Sequence, residues 1–125
     1  MADTASRFVP AGDGSVLDRD TGLVWERAPS PQLVPWDAAA RRSDGTPWRL
    51  PTASELLLLL NGLRGPHPFP DPTPGPPFWS CTVSPYSARG QVRAVGYAAG
   101  PVWVVRLLDR EAEARAWRVR TRGPS

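Results

Sequence analysis

Lysine and isoleucine are absent from this 125-residue chain, and cysteine, histidine, methionine and asparagine each occur once. A single cysteine, Cys81, cannot close an intrachain disulfide. A single histidine, His67, cannot assemble a zinc site by itself. All basic residues are arginine, a pattern expected of GC-rich coding sequence, so Arg in place of Lys carries no functional weight. Long apolar runs are also missing. The longest is Leu56–Leu60, far short of the roughly 20 residues that cross a bilayer as a helix. Residues Met1 to Ser6 offer neither a positive stretch nor an apolar stretch, so they do not read as a secretory signal. A cytoplasmic location is expected on these grounds, with export by a signal-independent route as the other possibility.

What is present points to one domain with an aromatic core. The length suits a single unit spanning residues 1–125. Hydrophobic residues make up 41%, and six tryptophans are many for so short a chain. Each Trp buries a large area and needs a partner for its N–H, which argues for an irregular aromatic interior over a simple helix bundle. Net charge is +3 but uneven. Residues 1–71 hold seven Arg against nine acids, whereas 72–125 hold eight Arg against three. A basic C-terminal half is able to meet an acidic partner, although a solvated face is the favoured explanation.

Residues 1–11 read as an arm. Segments 15–18 and 22–25 then read as two strands joined through 19-RDT-21, where Asp and Gly tolerate tight-turn geometry. A short helix is predicted over 36–42 behind Pro35. A second starts at Thr52, where Thr52 and Glu55 match the S/T-x-x-E capping box, and ends at Gly62 or Gly65. Segment 65–77 has seven prolines in thirteen residues and cannot be regular structure. Four strands are predicted after it: 78–83, 91–98, 102–108 and 115–121. Segment 102–108 is apolar on both faces except for Arg106, which predicts a central strand. In 115–121, Ala116, Arg118 and Arg120 alternate with Trp117, Val119 and Thr121. The order is hairpin, two helices, long loop, antiparallel sheet: an α+β fold.

The stretch 12-GDGSVLDRDTGLVWE-26 concentrates Asp13, Asp18 and Asp20. A calcium loop requires a third acid and a later glycine, and Arg19 between the acids opposes a cation. The phosphate-binding glycine patterns are absent as well. A hairpin is the better reading. Arg49 could grip a ligand carboxylate or sulfate through its planar fork, but it is expected to pair with an internal acid (Asp13, Asp18, Asp20 or Glu55) or with backbone carbonyls, because buried charges persist when paired. Cys81 has no oriented base in sight, and Ser80 lacks a nucleophile-elbow context. No catalytic set is complete, so no enzyme, no metal and no cofactor are expected.

The ordered pieces 12-GDGSVLDRDTGLVWER-27, Trp36-Asp-Ala-Ala, 48-WRLPTASEL-56, 79-WSCT-82 and 117-WRVRTRG-123 resemble the C-terminal domain family of bacterial collagen-like adhesins (Lcl C-terminal family) over residues 7–123. The Arg-Leu-Pro-Thr-x-x-Glu piece is also similar to formylglycine-generating enzymes. The resemblance implies a C-type-lectin-like fold, with two helices packed on a twisted antiparallel sheet with long loops. It also implies a core role for Trp25, Trp48 and Trp79. Two departures stand out. Thr121 sits near a usual cysteine, and Ser80-Cys81 replaces Ser-Ser. Formylglycine-generating enzymes use two cysteines, and this chain has one.

Two functions follow as expectations. The first is a non-enzymatic module that displays loops for protein–protein interaction or assembly. The Pro-rich loop 65–77 is a candidate docking element, and a homo-oligomer formed through a strand edge is one version. The second, which the resemblance suggests, is binding of an acidic or sulfated polysaccharide through a basic sheet face. Candidate ligand residues are Arg89, Arg93, Trp103, Arg106, Arg118 and Arg120, with Arg122 extending the stripe. Sugar recognition of the calcium-dependent type is not expected, since no E-P-N motif exists. Nucleic acid fits poorly, because the arginines are scattered.

Overall fold

The computed structural model describes residues 7–11, 13–30, 32–42, 45–63, 69, 76–83, 91–99 and 102–121. The predicted hairpin is present. Strands β2 (Val16–Asp18) and β3 (Leu23–Trp25) pair antiparallel, with Val16 opposite Trp25. Their turn closes when the Gly22 N–H donates to the Asp18 carbonyl at 2.8 Å. Gly22 sits at φ +77°, the left-handed region that a side chain disfavours. The Asp18 carboxylate also accepts from the Asp20 N–H at 3.1 Å, so the acid serves the turn. Strand β1 (Phe8–Pro10) flanks β2, and β7 (Val119–Thr121) flanks β3.

Helix α1 (Trp36–Arg41) and helix α2 (Ala53–Asn61) follow. The capping box is formed as expected. The Glu55 N–H donates to Thr52 Oγ1 at 3.1 Å, and the Thr52 N–H donates to Glu55 Oε1 at 2.8 Å. Gly62 caps the C-terminal end. It also makes room for Arg7, because a Cβ there would collide with the Arg7 guanidinium.

The later strands correct the sequence reading in three ways. The strands form two antiparallel sheets, ordered β1-β2-β3-β7 and β4-β5-β6, instead of one. In the second sheet the central strand is β5 (Val92–Ala99), between β4 (Phe78–Val83) and β6 (Val102–Leu108). Segment 102–108, expected in the middle, is therefore an outer strand. Thirdly, the predicted strand 115–121 shrinks to β7, and Ala114 and Arg115 ahead of it make isolated bridges to Val34 and Phe78. The chain there crosses from one sheet to the other and cannot stay in either ladder.

The stretch 48-WRLPT-52 stitches the sheets together. Arg49 and Val119 exchange two backbone hydrogen bonds of 2.8 Å, and the Cys81 N–H donates to the Pro51 carbonyl at 2.8 Å. The Ala53 N–H reaches Thr82 Oγ1 at 3.1 Å. Proline suits this join because it lacks an N–H to satisfy while its carbonyl still accepts.

Two apolar clusters fill the interior. One gathers Trp25, Leu56, Leu59, Phe78, Trp103 and Trp117 beneath α2. The other joins Ala39 of α1 to Leu50, Trp79, Val92, Ala94 and Ala116 on the opposite face of β5. Three indole N–H groups find carbonyls: Trp36 on Ser80 at 2.9 Å, Trp79 on Val34 at 2.7 Å and Trp117 on Glu26 at 2.7 Å. Each bond lets a large ring be buried without a stranded donor.

Candidate functional site

Two surfaces emerge. The first is built around Trp48. Its ring is half-buried, contrary to the expected core role. The Arg118 and Arg120 guanidinium carbons lie 5.7 and 5.2 Å from its centroid, within cation–π range. Alternation on the strand puts both arginines on one side, while Trp117 and Val119 are buried on the other. Each arginine already has an acid. Arg118 donates twice to Glu26 at 2.8 Å, through its backbone N–H and Nη2. Arg120 Nη2 lies 3.3 Å from Asp13 Oδ2. Asp13 is held below the usual carboxylate range, first by the Ser15 hydroxyl and backbone, then by Arg120.

Arg49 takes the partner that fits best among those foreseen. Its Nη1 and Nη2 donate to the two Glu55 oxygens at 2.8 and 2.9 Å, a fork that raises the guanidinium and lowers the carboxyl. Arg7 forms the same fork with fully buried Asp18, at 2.7 Å to each oxygen. The acids of the opening motif are thus engaged by arginine.

The remaining stripe residues do not join Trp48. Arg93 pairs with Leu107 and Arg106 pairs with Ala94 across β5 and β6, so the two arginines lie on opposite faces of the second sheet. Arg106 crosses Gly96, where an added Cβ would meet its Nε at 2.9 Å. Trp103, named among the candidate ligand residues, is a core residue at 7% exposure and packs at 5.3 Å against Tyr97. Arg89, Arg122 and His67 lie outside the described residues, as does most of loop 65–77. Phe69 of that loop is buried, edge-on to Phe8 and Trp117 at 5.2 Å.

The second surface is one that the sequence reading missed. The two sheets have four outer edges. On β4, the Trp79 N–H donates to the Arg115 carbonyl and the Cys81 N–H to Pro51. Arg49 occupies the outer side of β7. β1 is three residues long and ends in Pro10, and both features blunt an edge. β6 is seven residues long, without Pro or Gly, and among the described residues no strand pairs with its outer side. Val105 and Leu107 on it are 41% and 49% exposed. The lone Arg106 within an apolar run was the available signal, since a central strand rarely carries an unpaired charge.

Desolvation pushes the Cys81 thiol up, Arg49 pulls it down and Glu55 adds to the rise. A protonated thiol is a poor nucleophile. Among the described residues no three His, Cys, Asp or Glu side chains group as metal ligands. None of the helices described is long and apolar enough to cross a membrane. A depression of about 430 Å³ is lined, among the described residues, by Val9, Leu17, Arg19 and Gly22. Comparison with family models, curated proteins and solved structures finds no match.

Proposed function

We propose that this chain is a non-enzymatic binding module, C-type-lectin-like in fold, that serves protein–protein interaction or assembly. The observation that carries the reading is the β6 edge. An uncovered, apolar strand edge is a template for another chain, and adding a strand there gives backbone hydrogen bonds with side-chain contacts on both faces. Support for the lectin-like fold comes from the two helices, the antiparallel sheets and the stitching role of 48-WRLPT-52. A photo-crosslinking residue at position 105, introduced into the chain in its native cell, tests the function. Adducts with a protein partner are expected. Their absence, with adducts forming no more often than at exposed Asp37 of α1, overturns it.

A second reading rests on Trp48. A half-buried indole flanked by two arginines suits an acidic or sulfated sugar, by stacking and charge. Arg118 and Arg120 must then exchange Glu26 and Asp13 for the ligand, so binding is expected to be weak and lost in high salt. The assembly reading needs no such exchange, and it ranks first.

A further inference from the structure

We infer that β6 pairs antiparallel with β6 of a second copy of this chain, about a two-fold axis through Val105, so that the two three-stranded sheets become one. The inference rests on the interaction-module reading and names its partner. Among the described residues the other edges are capped or short, and β6 is the edge with no paired strand.

The strand's own sequence selects a second copy. In an antiparallel self-pair centred on Val105, Val105 faces its equivalent, Trp103 faces Leu107, and Val104 faces Arg106. The one charge in 102–108 therefore meets an aliphatic neighbour. Centring the pair two-fold on Arg106 instead sets two guanidinium groups directly opposite, which is destabilising. The register around Val105 also collects the exposed apolar groups. Val105 pairs with Val95 and Leu107 with Arg93 inside one copy, so both project from the face that carries Trp103 and Tyr97 beneath α2. An axis perpendicular to the sheet keeps the faces in common, and Val105 and Leu107 of each copy meet Val105 and Trp103 of the other. An isologous contact of this kind closes on itself and does not propagate. One strand per copy is a small interface compared with the roughly 1,200–2,000 Å² of a stable complex. A dissociation constant on the order of 10–100 μM is expected.

Sedimentation of the full chain over a wide concentration range reads the association, and cysteine pairing reads the register. Val105→Cys in a Cys81→Ser background is expected to give a disulfide-linked dimer on mild oxidation. Leu107→Cys in the same background is expected to give none, because its equivalent lies four residues away along the partner strand. Val105→Glu, with an unchanged circular dichroism spectrum, should weaken dimerisation at least tenfold. Arg106→Glu should leave it within about twofold. A chain that stays monomeric at several hundred micromolar, with no crosslink at position 105, overturns self-pairing. So does a dimer that crosslinks at position 107 and not at 105. If self-pairing fails while photo-adducts at position 105 still form with another protein, the module reading stands and only the partner is wrong. If both fail, the reading of β6 falls altogether.

Discussion

The two sheets manage charge and edges in opposite ways. In β1-β2-β3-β7 the strands are three residues long, and ion pairs tie them to their surroundings: Arg7 with Asp18, Arg118 with Glu26, and Arg120 with Asp13. In β4-β5-β6 the strands run six to eight residues. None of the ion pairs among the described residues lies within them. Short strands bury too little by themselves and are fixed by side chains, whereas the long apolar strands are fixed by packing, and among the described residues the outer edge of β6 is left without a paired strand. On the reading proposed above, the first sheet is the sealed part of the molecule and the second is the part that associates.

Trp117 touches both halves, and its loss is the severest test. It is fully buried, stacks edge-on to Trp25 at 5.6 Å and contacts Phe78 at 5.4 Å. Trp117→Ala should cost about 3–5 kcal/mol, read by urea unfolding. If the sheets fold as one unit, both lose structure in a single transition. Two separated transitions would mean that the halves are independent.

Asp18→Ala separates them more gently. It leaves Arg7 facing the buried site of its lost partner, at an expected cost of about 2–3 kcal/mol, since Arg7 keeps part of its solvent contact. Hydrogen exchange should rise in β1 and β2 while β5 and β6 stay protected. Equal loosening of both sheets would mean that the ion pair does not act on the first sheet alone.

Glu55 belongs to the connector, and pH reads its role. Arg49 and the Thr52 backbone lower its carboxyl below the ordinary value of 4.5. A depressed carboxyl contributes stability in full above its unfolded value, and that contribution disappears as pH falls through the folded value. Wild type should therefore lose stability below about pH 4.5 more steeply than Glu55→Gln. At neutral pH the variant, which removes a charge-assisted fork and weakens a cap, should be about 1 kcal/mol less stable.

Much of this was legible in the sequence where chemistry is local. Thr52 and Glu55 announced the cap, and Asp18 to Gly22 announced the turn, because these residues act within a few positions of themselves. Strand position was not legible. Segment 102–108 is apolar for two different reasons, burial of Trp103 and exposure of Val105 and Leu107, and composition does not distinguish them. The arginine stripe dispersed for a similar reason. Alternation predicts which residues of one strand share a face, as it did for Arg118 and Arg120, but not that Arg93 and Arg106 would register to opposite faces of a different sheet. Trp48 escaped notice as a surface ring because its exposure depends on β7, seventy residues away in sequence.

The smallest expected effect concerns that ring. Arg120 pairs with Asp13 at the surface, where such a pair contributes little, and Arg118 pairs with a half-buried Glu26 that keeps a backbone donor. The Arg118→Ala, Arg120→Ala double variant should thus keep most of its stability while baring one face of Trp48 and removing the side-chain partners of Glu26 and Asp13, with Glu26 still held by the backbone N–H of residue 118. Its retention on a sulfated polysaccharide column decides between the two surfaces. If wild type elutes at low salt and the variant elutes with it, the arginines are occupied by their own acids and the sealed sheet has no ligand of this class. If wild type is held to high salt and the variant is not, the ligand outcompetes Glu26 and Asp13. The first sheet would then be a binding surface in its own right, and the contrast between a sealed half and an associating half would have to be abandoned.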